Sequence, residues 1–222
     1  MERYIRMLIM KFKYNPTKYI CDIIYLMENL MSYNYIVSID ASIQSSGVSI
    51  YNTKTKTTIL YTYSNKVKED FEFEVAEFKL IAEAQPKKFK TLDYFIRYTK
   101  IADRIYEFIS NNIDDSAIFF MEGYAFAAKG KMFNIGEFGG LIKRHIYDDN
   151  YPLKEIAPSE WKKRIIGSGS AKKEVIYNSM LRESVGEVLA ELVARGYPWK
   201  KHSWVEDIAD VYAIQKCAMF LT

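Results

Sequence analysis

Cysteine and histidine are scarce in this chain, and their scarcity removes two kinds of site. The two cysteines, Cys21 and Cys217, lie far apart with no C-x-x-C pattern. Neither a disulfide framework nor a zinc centre is indicated, and the usage fits a reducing cell interior. His145 and His202 are the only histidines, which argues against a histidine-rich metal centre. No apolar run approaches the ~20 residues that span a bilayer. The first residues include Glu2, Arg3 and Arg6 and lack a clean apolar stretch with a small-residue cleavage site, so no secretory leader is expected. A large charge of one sign is missing too. At a net charge of +3, bulk electrostatics alone do not point to a nucleic acid.

What is present suffices for one domain with a real core: 222 residues, 49% hydrophobic and 27% charged. Residues 1–33 read as an extension. Pro16 breaks them, and Thr17 is placed to cap a helix reaching Met31, with Ile20, Ile23, Ile24, Met27 and Leu30 on one stripe. Residues 34–222 form the expected domain. Strands are expected over 35–40, 47–52 and 57–63, the last two joined by a turn at Asn52-Thr53-Lys54. Residues 65–90 are charged and poorly periodic and read as a loop. Leu92, Phe95, Ile96, Thr99, Ala102, Ile105, Phe108 and Ile109 fit one buried face of a helix over 91–112. A strand over 117–122, a loop to Gly130, a helix over 132–147 and a short strand over 153–157 follow. Pro158 suits the first turn of a helix. Gly167-Ser168-Gly169-Ser170 interrupts it, helix resumes at Ala171, and further helices are expected over 185–195 and 205–221. The order predicts an α/β fold: a mixed five-stranded sheet with helices on its faces.

The acidic residues carry the chemistry. Asp40 and Glu122 each end an apolar strand, where a carboxylate is costly unless a cation or a donor meets it. Asp207 and Asp210 stand three apart near the start of the last helix, on one face, and repel each other without a cation. Together they suggest one shared site for a hard cation such as Mg²⁺. Between Trp161 and Lys173 lie Lys162, Lys163, Arg164, Lys172 and Lys173 with no acid among them. Such a stretch can hold phosphates beside an acidic site, although a solvated helix face has the same composition.

Four stretches together resemble the RuvC-type Holliday junction resolvases, which have a ribonuclease H-like fold. They are Ile39-Asp40-Ala41-Ser42 with Ser46-Gly47-Val48; Phe120-Met121-Glu122-Gly123-Tyr124 with Ile135-Gly136-Glu137-Phe138-Gly139-Gly140; Pro158 through Trp161-Lys162-Lys163 to Gly167-Ser168-Gly169-Ser170-Ala171-Lys172-Lys173; and Asp207-Ile208-Ala209-Asp210-Val211-Tyr212-Ala213. The resemblance implies that Asp40, Glu122, Asp207 and Asp210 bind two Mg²⁺ or Mn²⁺ ions. It implies that Lys162 and Lys173 contact phosphate, with Lys163 and Lys172 beside them and Lys173 in a catalytic role. It also implies that an aromatic soon after the second acid stacks at the junction. Tyr124 and Phe126 flank that point, and they can equally pack their own loop. The implied partner is a four-way DNA junction, cut by a homodimer with paired symmetric nicks; no membrane and no organic cofactor are expected. Flaps, forks or RNA–DNA hybrids are alternative substrates, and a non-catalytic DNA-binding scaffold of the same fold is the alternative of another class. The N-terminal extension, the charged stretch 65–90 and the long connection at 184–204 are more like phage and large-DNA-virus members than the compact bacterial enzyme. Lys/Ile/Tyr/Asn-rich usage fits an AT-rich genome.

Overall fold

In the computed structural model, residues 33–123, 132–201 and 203–222 are described. The extension and its expected helix, apart from Tyr33, lie outside them, as do Tyr124, Phe126 and the rest of the loop after Gly123. Among the described residues the sheet has seven strands in the order β4-β5-β3-β2-β1-β6-β7. These are β1 Tyr35–Asp40, β2 Ser45–Asn52, β3 Thr58–Ser64, β4 Phe71–Val75, β5 Phe78–Ala84, β6 Ala117–Glu122 and β7 Leu153–Ile156. The helices are α1 Tyr94–Ser110, α2 Met132–Asp148, α3 Pro158–Ile166, α4 Lys173–Met180, α5 Gly186–Ala194 and α6 Val205–Ala218.

Two of those strands correct the sequence reading, which assigned residues 65–90 to a loop and expected five strands. Strands β4 and β5 pair antiparallel, and β5 runs parallel to β3. Period-2 alternation was present: Phe73, Phe78, Leu80 and Ala82 are buried, while Glu72 and Glu74 face solvent on the edge strand. Charge on an edge strand is a common protection against further pairing, and here it masked the strand signal. The turn hid as well, because its positive-φ residue is Ala76 at 49°, not glycine or asparagine.

The central strands are buried on both faces, and alternation sorts their side chains. Val37, Ile39, Val48, Ile50, Phe119 and Met121 face α1 and α2. Ile36, Ile118 and Phe120 face the layer built by α3 to α6. Helix α1 keeps one stripe inside, with Ile101, Ala102, Ile105 and Ile109 at 0% exposure; full burial of such an aliphatic side chain contributes about 1.5–3 kcal/mol. Helix α6 differs. It crosses β1, β2, β3 and β6 and is buried on nearly every side. Among the described residues no helix is long and apolar enough to cross a membrane.

Candidate active site

Strand direction places the first two acids. Strands β1 and β6 run parallel, in register from Tyr35 opposite Ala117 to Ile39 opposite Met121. Asp40 and Glu122 are the next residues of each strand, so they end neighbouring strands at the same edge, about 4.8 Å apart at the backbone. Both fall on the alternation that faces α6.

A glycine places the second pair. Gly47 lies opposite Asp40 in the antiparallel partner β2. A Cβ there would stand 2.9 Å from the Asp207 carbonyl oxygen and 3.3 Å from the Val211 Cβ. The missing side chain lets the first turn of α6 descend onto the sheet beside Asp40. Ser45, also on β2, donates a hydrogen bond to the Asp207 carboxylate. One turn later Asp210 is only 4% exposed and receives the Lys173 ammonium from the start of α4. Glu122 accepts a 2.9 Å hydrogen bond from the indole Nε1–H of Trp161, itself fully buried in α3.

Electrostatics tie these groups together. Burial first, and the Asp40 charge second, push the Glu122 carboxyl up to about 7, against the Trp161 hydrogen bond and the charges of Lys162 and Lys173. The same two causes push Asp207 up to about 7, while Ser45, Lys173 and Lys66 act the other way. Asp40 thus acts on both flanking acids, and Lys173 reaches Glu122 and Asp207 as well as Asp210. The Lys162 ammonium sits over the Trp161 ring at 5.2 Å from its centroid.

Of the residues singled out from sequence, the structure brings together Asp40, Glu122, Asp207, Asp210, Lys162 and Lys173. Lys163 and Lys172 are exposed on the same helix–turn–helix. Tyr124 and Phe126 lie outside the described residues. The quartet does not form a ready metal cage: among the described residues no three His, Cys, Asp or Glu side chains are grouped to hold a metal ion. Glu122, Asp207 and Asp210 are each met by a donor of the protein itself. Ser45, Trp161 and Lys66 were not read from sequence as parts of the site. Ser45 and Asp207 are 162 residues apart, and no local signal joins them. Trp161 lay within a quoted motif, but its indole partner could not be read there.

The structure is similar to solved structures of RuvC from Thermus thermophilus. One has a TM-score of 0.50 at 14% identity, covering 84% of this chain and 95% of that chain. Another, of T. thermophilus RuvC in complex with a Holliday junction substrate, has a TM-score of 0.50 at 14% identity, covering 84% of this chain and 94% of that one. No protein-family model matches the chain, and no curated protein matches it. At this identity the likeness speaks to architecture, and the chain has a RuvC-like α/β fold.

Proposed function

We propose that this protein is a structure-selective endonuclease that resolves four-way DNA junctions. It would act as a homodimer that nicks opposed strands symmetrically and leaves 5′-phosphate and 3′-hydroxyl ends. The observation that carries the reading is the gathering of four acids from three separate segments at one edge of a RuvC-like sheet, with Lys173 among them.

The donor chemistry fits two divalent ions, Mg²⁺ or Mn²⁺, held by Asp40, Glu122, Asp207 and Asp210. It is an all-carboxylate set, and burial first, with the Asp40 charge second, makes ionised Glu122 and Asp207 costly, a cost that a bound cation would offset. When bound, such ions supply positive charge that draws in the phosphodiester and favours attack by water. The chain's own residues do the rest. Trp161 and Ser45 orient Glu122 and Asp207. Lys173, 45% exposed, can exchange Asp210 for a phosphate oxygen and stabilise charge developing there. Lys162, Lys163 and Lys172 add cationic surface along the same approach. Tyr124 and Phe126 are assigned to stacking at the junction.

Symmetric nicking needs two sites, and each chain brings one, hence two-fold symmetry. Among the described residues, a Cβ added at Gly136 or Gly140 of α2 would meet no atom outside its own helix within 4 Å, which leaves room for a partner helix. Phe133 beside them is 78% exposed. This helix is our candidate for part of the dimer interface. The N-terminal extension, the charged stretch 65–90 and the long connection at 184–204 fit a phage or viral member working inside a bacterial or virus-infected cell.

The test is a synthetic four-way junction incubated with the protein with and without Mg²⁺, beside matched flap, fork and RNA–DNA substrates. Paired nicks at symmetric positions, only with the metal, are expected. Preference for a flap or hybrid would move the activity to another branched substrate. Tight binding with no cutting in Mg²⁺ or Mn²⁺ would make the protein a scaffold.

A further inference from the structure

The turn between β1 and β2 has two sides. One side carries Ser45 to Asp207. The other opens onto a cavity of about 340 Å³, lined by Ser42, Ile43, Gln44, Arg97, Tyr98, Asn134 and Ile135. Its walls come from the turn just after Asp40, from α1 and from the start of α2. No acid lines it. A larger cleft, lined in part by Glu83, Lys88, Lys100, Asp103, Arg104 and Glu107, has charges of both signs, and Arg104 is held by Glu83 at 2.7 Å. That cleft leaves little charge for a ligand.

Arg97 makes the smaller cavity different. Arg104, Arg144, Arg164 and Arg195 each hold a carboxylate. Among the described residues Arg97 holds none, and its Nε–H is shut off from solvent with no hydrogen-bond partner. An unmet buried donor is costly, and more so on a charged group. The guanidinium fork matches two oxygens of a phosphate. Asn134 adds amide donors at the exposed start of α2, and Ser42 and Gln44 add a hydroxyl and an amide. A donor-rich pocket with no acid among its described lining residues, starting two residues past Asp40 in the chain, suits an anion on the strand that passes the carboxylates.

We propose that this cavity seats a backbone phosphate of the DNA strand being cut, next to the scissile one, with Arg97 as its anchor. The inference rests on the nuclease reading above. It makes Arg97 a substrate-binding residue on the opposite side of the turn from Lys173, so that one strand is gripped on both sides of the acids.

The experiment measures binding of a four-way junction without cleavage, in EDTA, across a salt series. Wild type is compared with Arg97→Ala, Arg97→Lys and Asn134→Asp. Arg97→Ala should bind about tenfold more weakly at low salt, and its log Kd against log salt should lose about one unit of slope, as for one phosphate contact. Arg97→Lys should recover the slope but not all of the affinity, since an ammonium lacks the fork. Asn134→Asp, on an exposed surface, should weaken binding by adding negative charge at the mouth, and it decides the matter if Arg97→Ala does not fold. Unchanged affinity and slope in the folded variants overturn the pocket while leaving the nuclease reading standing. A wild type that binds no junction, duplex or single strand overturns both.

Discussion

Helices α1 and α6 lie on opposite faces of the same sheet and use polar residues in opposite ways. Helix α1 buries an aliphatic stripe and turns Arg104 and Glu107 outward, where they pair at 2.9 Å near solvent. Such a pair adds little to stability. Helix α6 buries Glu206, Asp210 and Gln215 with its apolar residues and meets Ser45 and Ser49 on the sheet. Burying polar groups without partners is expensive; Lys173 meets Asp210 and Ser49 meets Gln215. The contrast separates a helix that holds the sheet from a helix that holds chemistry, and mutations at the two should fail differently.

The largest effect is expected at the acids. Asp40→Asn or Asp210→Asn should abolish cutting while junction binding persists, because removing negative charge does not weaken phosphate attraction. Gel shifts beside cleavage gels would show it. An Asn variant that still cuts would remove that position from the site. By contrast, Ile105→Ala on α1 should cost about 2–5 kcal/mol of stability and lower activity only through unfolding, read from urea melts.

Next comes Lys173. Lys173→Ala should slow cleavage by roughly 10²–10³ if it stabilises charge in the transition state, with a much smaller loss of binding. Equal losses would make it a phosphate anchor. The variant also leaves Asp210 buried without its cation, so the melt without metal should fall. Added Mg²⁺ should then stabilise Lys173→Ala more than wild type, a comparison a thermal shift assay can make.

These contrasts also show what was legible in advance. Strand-end acids and the lysines around the Gly-Ser turn could be read because they sit where apolar periodicity stops, and the i, i+3 pair on α6 because it puts two acids on one helix face. Strand β4 could not, since its charged edge residues read as a solvated loop, and β5 was lost with it because no glycine or asparagine marks the turn between them. The partners Ser45 and Trp161 were illegible for a different reason. Their roles depend on contacts across the fold, and a serine or a tryptophan has many unremarkable uses. Gly47 lay in a quoted motif, but only the fold shows that the Asp207 backbone needs its space.

Glycines offer a smaller and sharper test. Gly47→Ala places a Cβ 2.9 Å from a backbone oxygen and should cost about 1–3 kcal/mol as α6 lifts. Gly140→Ala meets open space and should stabilise α2 by about 0.5–1 kcal/mol through helix propensity. If α2 is an interface, the same change should weaken the dimer. Sedimentation at micromolar concentration would separate the two effects. A monomer, free and on the junction, that nicks both strands at once would overturn the symmetric mechanism.

The smallest effect is a pH dependence, and its sign is specific. Glu122 and Asp207 are held up to about 7 in the folded chain, by burial and by Asp40. The folded state therefore binds more protons than the unfolded state between the ordinary carboxylate range and about pH 7. Stability of the metal-free protein should fall as pH rises through that window, then level off. Asp40→Asn removes one of the two causes but not burial. Above pH 7, where the flanking acids are ionised, the variant should be more stable than wild type by about 1 kcal/mol, or several degrees in Tm. At pH 4, where both are protonated, the gain should vanish. Thermal melts in EDTA at the two pH values would measure it. Equal pH dependence in the two proteins would mean that Asp40 does not act on its neighbours, and the coupled acidic site would lose its electrostatic support.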